Sequence, residues 1–129
     1  MKNYRGKFGI RGVGCIVKYL DRILLVRRKN YPWEGEWWTG VIGLMEEGET
    51  REETVKREVK EEVGLDVVNV KQLRKEPYKT FAQDFKSSYI CEMFTADALS
   101  DKIKLNEGEL YEARFFSPKQ LRKIKLAPI

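Results

Sequence analysis

The chain has no histidine. That absence removes every mechanism built on imidazole: a Ser-His-Asp or Cys-His nucleophile, a histidine-ligated zinc, a proton switch near neutral pH. Acid–base work must fall to carboxylates, Lys, Tyr, Cys or metal-bound water. Cysteine is scarce as well. Cys15 and Cys91 stand far apart and in no CxxC spacing, which argues against a disulfide framework or thiolate zinc site and for two buried core thiols. Long apolar runs are missing too, because Arg11 and Lys18 interrupt the one stretch near the N-terminus. The expectation is a cytoplasmic protein with no membrane partner. With 129 residues, no internal repeat and no low-complexity linker, a single domain over 1–129 is expected.

What the chain does have is charge, and the charge is segregated. It carries 25 Lys and Arg against 20 Asp and Glu, a net charge of +5. The acids concentrate over 46–62, while Lys2, Arg5, Lys7 and Arg11 mark one end and Lys119, Arg122, Lys123 and Lys125 the other. A basic balance of this kind suits a phosphorylated partner. The acidic stretch reads as a helix entered by a loop. Thr50 with Glu53 three residues on forms a capping box, Val55, Val59 and Val63 lie on one stripe, and Gly64 is a natural stop. At about 100° per residue, Glu58, Glu61 and Glu62 share one arc beside the valine stripe. Like charges at i,i+4 repel, so the crowd predicts a bound cation, and also that replacing Glu58 or Glu62 by Gln leaves the metal-free fold as stable or slightly more stable. Glu52, Glu53, Lys56 and Lys60 read as a solvated face.

The stretch Gly43 to Leu65 resembles the Nudix box, whose pattern is Gly, five residues, Glu, seven residues, then Arg-Glu-U-x-Glu-Glu-x-Gly-U with U a bulky aliphatic. Gly43, Glu49, Arg57, Glu58, Val59, Glu61, Glu62, Gly64 and Leu65 fill every fixed position. The resemblance implies an α/β fold, an α/β/α sandwich with a mixed sheet, and a pyrophosphohydrolase that uses Mg²⁺ or Mn²⁺. The substrate class it implies is a nucleoside diphosphate linked to another moiety, such as a nucleoside triphosphate or ADP-ribose. Glu58, Glu61 and Glu62, with the Gly43 carbonyl, are the expected metal ligands, and hard oxygen donors suit those ions. Arg57 is the expected ion-pair partner of Glu49, which it orients behind the ligands. The base is Glu58 or a further glutamate, which the family often supplies from a loop before a strand beginning with a bulky aromatic. Glu109, six residues before Phe115, is the first choice, with Glu107 and Glu112 as rivals. One departure is clear: Val41-Ile42-Gly43 stands where many members have Pro-Gly-Gly.

The remaining expectations are local. Residues 8–18 and 23–28 read as a hairpin, 67–75 and 88–98 as strands, and Ser117-Pro118 as the start of a closing helix. Arg27 and Arg28 leave the second strand as candidate phosphate or ribose contacts. In the aromatic loop 29–38, Trp33 or Trp38 is a candidate for stacking on a base, and Phe81, with Tyr78, is a secondary one. The alternatives to a small nucleotide substrate are an RNA 5′ end, favoured by the basic ends and aromatic loops, and a non-catalytic nucleotide sensor. A prenyl-diphosphate isomerase would need Cys and Glu motifs that Cys15 and Cys91 do not provide. A homodimer is compatible with all of these.

Overall fold

A computed structural model describes residues 5, 6, 9–29, 38–74, 78–81 and 88–124. Its organising feature is the pairing of two eleven-residue strands, β2 (Gly9–Tyr19) and β7 (Ser88–Ala98). They run parallel in unbroken register from Ile10↔Tyr89 to Lys18↔Asp97. On its other edge β2 changes partner midway. Its C-terminal end forms an antiparallel hairpin with β3 (Arg22–Arg28), while Gly12 to Cys15 pair with β4 (Val41–Leu44). The isolated bridge Val26↔Thr39 brings the chain back to β3 just before β4 begins. β5 (Val67–Gln72) and β6 (Tyr78–Phe81) line the far edge of β7, β8 (Leu110–Phe116) closes the sheet beside β3, and β1 (Arg5–Gly6) pairs with the start of β2.

Helix α1 (Arg51–Val63) forms as its sequence signals dictate. Thr50 accepts from the Glu53 amide, the Glu53 carboxylate accepts from the Thr50 amide, and Gly64 ends the helix with φ at 70°. The stripe Val55, Val59 and Val63 is fully buried on one face of the sheet, against Val13, Cys15 and Val17 of β2, Leu24 and Val26 of β3, and Phe94 and Ala96 of β7. Each such side chain contributes roughly 1.5–3 kcal/mol. The expected α/β architecture with a mixed sheet is therefore present. Helix α2 (Pro118–Leu121) starts from a Ser117 capping box, spans four residues and buries none of them.

Several expectations change in detail. β6 lies in the stretch expected only to join the strands at 67–75 and 88–98, and β4 in one for which no element was expected, because four residues are too few for alternation to show. β8 begins at Leu110, not at Phe115, so Glu109 directly precedes the strand. The charges that hid this strand are satisfied across it: Glu112 accepts from Arg27 on β3. A bulge between Arg27 and Arg28 lets Leu110 enter the core while Glu112 faces the opposite side. No helix among the described residues is long and apolar enough to cross a membrane.

Candidate active site

β4 delivers Gly43 and Leu44 to the foot of α1, and the connection between them turns at Gly48, whose φ of 88° suits a residue without a Cβ. That turn brings Glu49 back under the helix. Its carboxylate accepts from the Glu46 amide at 2.8 Å and the Thr54 hydroxyl at 2.8 Å. Arg57 completes a two-bond fork to it, Nε to Oε2 at 2.6 Å and Nη2 to Oε1 at 3.0 Å. The Arg57 hydrogen bonds hold the Glu49 carboxyl far down, at about 2. Arg57 also donates to the Leu44 carbonyl at 3.0 Å, to Glu58 at 2.8 Å and to Glu61 at 3.1 Å. One guanidinium thus binds β4, the entry loop and two turns of α1.

Glu58 lies against Gly43. A Cβ built there would stand 2.1 Å from the Glu58 Cδ, so glycine is what lets strand and carboxylate meet. Burial pushes the Glu58 carboxyl up, against the pull of Arg57. Glu62, one turn on, is fully buried, and its Oε1 accepts from Arg28 of β3, itself 6% exposed. Burial drives the Glu62 carboxyl up more strongly than Arg28 pulls it down. Among the described residues its Oε2 has no hydrogen-bond partner. A buried carboxylate oxygen without a donor is costly unless something electropositive completes it, so Glu62 fits a cation ligand.

The glutamates expected from the sequence to repel one another until a cation binds are already paired with arginines. Among the described residues no three acids are gathered around one point in a ready metal cluster. The glutamates do not face one another bare: Arg57 neutralises Glu58 and Glu61, and Arg28 neutralises Glu62. Repulsion alone therefore does not demand a metal. The unpartnered Glu62 oxygen and the Gly43 cradle are the features that fit one.

Glu109 ends the turn before β8. Its carbonyl accepts from the Lys29 amide at 2.9 Å, and its charge contributes to raising the Glu62 carboxyl. Of the two rivals, one lies on the other face of the sheet and the other shares the Glu109 turn. Glu112 is engaged by Arg27 and Arg114 on the sheet face opposite α1, and Glu107 is exposed, its carbonyl held by the Lys29 ammonium at 2.6 Å.

Adjacent residues of a strand point to opposite faces, and Arg27 and Arg28 do so. Arg28 is turned inward to Glu62 rather than outward as an open phosphate contact. Arg27 lies 5.5 Å from the Trp38 ring centroid, and Arg114 lies 5.7 Å from the same ring. The Trp38 ring also meets Phe116 edge-on at 4.8 Å. Trp38 is therefore packed among arginines and Phe116 across the sheet from Glu58 and Glu62. Phe81 closes β6, and Trp33 lies outside the described residues. Cys15 and Cys91 are buried thiols pushed up to about 12 by burial, with no part in the site.

Three features escaped sequence reading. Arg28 is the buried partner of Glu62, Asn106 organises the Glu109 turn, and Glu92 of β7 is buried between Arg11 at 3.0 Å and Arg51 at 2.6 Å. Glu92 had a signal, a lone acid inside the apolar run around Ile90 to Phe94, which requires a cation nearby.

The family profile of the NUDIX domain matches residues 10–129. The NAD-capped RNA hydrolase NudC of Haemophilus influenzae is 35% identical over 95 residues, 74% of this chain. The chain spans about a third (34%) of the length of that relative. The ADP-ribose pyrophosphatase of Methanocaldococcus jannaschii is 36% identical over 112 residues, covering 87% of this chain and 64% of that protein. Among solved structures, the NUDIX domain of Shewanella oneidensis NrtR, complexed with ADP ribose, superposes with a TM-score of 0.76. It covers 95% of this chain and 81% of its own at 20% identity, a likeness of fold. The MutT protein of Bacillus halodurans superposes with a TM-score of 0.67 at 28% identity, over 92% of this chain and 74% of that one.

Proposed function

This chain belongs to the NUDIX family, and on that basis we propose that it is a metal-dependent pyrophosphohydrolase of a nucleoside diphosphate linked to another moiety, with ADP-ribose the first substrate to test. The observation that carries this reading is the pair of Glu58, seated on Gly43, and Glu62 one turn on, whose buried Oε2 has no donor among the described residues. Similarity to an ADP-ribose pyrophosphatase across 87% of the chain supports the choice of first substrate.

Glu58, Glu61, Glu62 and the Gly43 carbonyl would hold Mg²⁺ or Mn²⁺. When bound, such an ion neutralises phosphoryl oxygens and acidifies water. The chain's own groups do the rest. Glu58 or Glu109 takes the proton from the water that attacks phosphorus, while the bridging oxygen departs with the other half of the substrate as a phosphate monoester. With an ion held there, Arg57 would give up Glu58 and Glu61 and keep its fork on Glu49, so the helix edge would stay in place. Arg28 aims Glu62 from behind. Trp33 is the proposed stacking ring for the base.

The test is a panel of ADP-ribose, dinucleoside polyphosphates, sugar nucleotides and nucleoside triphosphates with Mg²⁺ or Mn²⁺, products identified by mass. ADP-ribose should yield AMP and ribose 5-phosphate. Failure to cleave any diphosphate with either metal overturns the reading. Glu109→Gln should lower kcat roughly 10²–10⁴-fold, with Glu112→Gln near the parent. A second reading, hydrolysis at an RNA 5′ end, is favoured by the similarity to NudC and by the basic chain ends; NAD-capped RNA in the same panel distinguishes it.

A further inference from the structure

The turn that carries Glu109 is held together at one residue. Asn106 donates its amide to the Glu62 carbonyl at 2.9 Å, and its own carbonyl accepts from Glu109 at 3.1 Å and Leu110 at 3.0 Å. Any residue but proline could make those three bonds. The fourth needs a short side-chain acceptor: Asn106 Oδ1 accepts from the Gly108 amide at 3.1 Å, curling under the turn. Gly108 leaves little room there, since a Cβ would stand 3.3 Å from that oxygen. Lys29 closes the turn from β3, through its amide to Glu109 and its ammonium to Glu107. Glu62 is thus shared. Its carboxyl faces the proposed metal site and its carbonyl anchors the turn that bears the second carboxylate.

We propose that Asn106 is a positioning residue: by locking the 106–110 turn onto the Glu62 carbonyl it fixes Glu109 against the carboxylate edge of α1, and it sets the turnover rate without touching metal or substrate. This rests on the reading of Glu109 as base or ligand given above. Glu109 is exposed and sits on a turn, so its local reach would otherwise be wide. A base must come within hydrogen-bond reach of the attacking water, and displacement by about 1 Å costs up to roughly 10²-fold in rate. The influence of Glu109 on the Glu62 carboxyl agrees with a turn held close to the helix edge.

Asn106→Ala and Asn106→Asp, each in the parent and in Glu109→Gln, test this. Asn106→Ala should lower kcat about tenfold with KM within about twofold, and should speed hydrogen exchange at the Gly108 and Leu110 amides. Asn106→Asp keeps the acceptor and should recover most of both. In the Glu109→Gln background, Asn106→Ala should add no further loss, because the group it positions is already gone. If Asn106→Ala melts too low to assay, Lys29→Met, which removes the ammonium tie at Glu107, carries the same expectation. A parent that cleaves diphosphates while Asn106→Ala leaves kcat unchanged overturns this inference alone. Equal losses in both backgrounds overturn it too, showing that Asn106 acts through something other than Glu109. A parent that cleaves no diphosphate overturns the hydrolase reading and this inference with it.

Discussion

The fork between Arg57 and Glu49 gives the most direct physical test of how the helix edge is held. Glu49→Gln keeps the shape of the side chain and an oxygen for the Glu46 amide and Thr54 hydroxyl, but sets a neutral amide against the guanidinium. The Glu49 carboxyl moves from 4.5 to about 2 on folding. At about 1.4 kcal/mol per pH unit such a drop corresponds to about 3 kcal/mol. The side chain keeps 15% exposure and salt screens its charge, so we expect about 2 kcal/mol at pH 7. The sign is set by the direction of the drop. A carboxyl lowered on folding stabilises the fold above its unfolded value and loses that contribution as pH falls toward its folded one. The gap between parent and Glu49→Gln should therefore be full at pH 7, smaller near pH 3 and close to nil at pH 2. Urea unfolding followed by tryptophan fluorescence at several pH values measures it. A gap that stays constant from pH 7 to pH 3 would refute the reasoning, because it would trace the loss to packing or to neutral hydrogen bonds and not to the ion pair.

Three further outcomes are expected. Glu62→Gln takes away the buried carboxylate to which Arg28 donates and should lower the stability of the metal-free protein by about 3 kcal/mol, against the sequence expectation of no loss; Mg²⁺ or Mn²⁺ should then raise its melting temperature less than the parent's. Equal metal-induced shifts would take Glu62 out of the ligand set. Gly43→Ala should push Glu58 off the strand and cut kcat roughly 10²-fold with little change in melting, and full activity would show that their contact is dispensable. Trp33→Ala should raise KM by the equivalent of about 1–3 kcal/mol if the ring stacks on a base, and an unchanged KM removes it from the site.

Local signals were readable wherever chemistry is short-ranged. The Thr50 and Glu53 box, the valine stripe, the Gly64 stop and the Arg57–Glu49 pair all join residues within a few turns, and the structure shows each of them. The limits come from distance along the chain. Arg28 and Glu62 are 34 residues apart, so the pattern showed a crowded glutamate edge but not the cation that β3 brings to it. Arg11 and Glu92 are 81 apart, and the parallel pairing of β2 with β7, with Arg11 opposite Ile90 and Val13 opposite Glu92, brings them within reach on a diagonal. The face to which Glu112 points could not be read either, because the bulge opposite Arg27 and Arg28 shifts the register of β8 by one and puts Glu112 and Leu110 on different faces. Short strands such as β4 and β6 carry too few residues for periodicity to separate them from loops.

The parallel β2–β7 pair also bears on how the chain reaches its fold. Its partners lie far apart in sequence, so the central pairing must close a long loop before it yields any contact, a pattern associated with slower folding than that of helical bundles. During synthesis β2, β3, β4 and α1 all emerge well before β7. Until β7 arrives, the valine stripe of α1 has only part of its sheet to cover it, lacking Phe94 and Ala96. The helix that carries Glu58, Glu61 and Glu62 is thus completed late. Mutations that weaken the β2–β7 register should show first in the yield of folded chain, and only afterwards in the rate at which each folded molecule works.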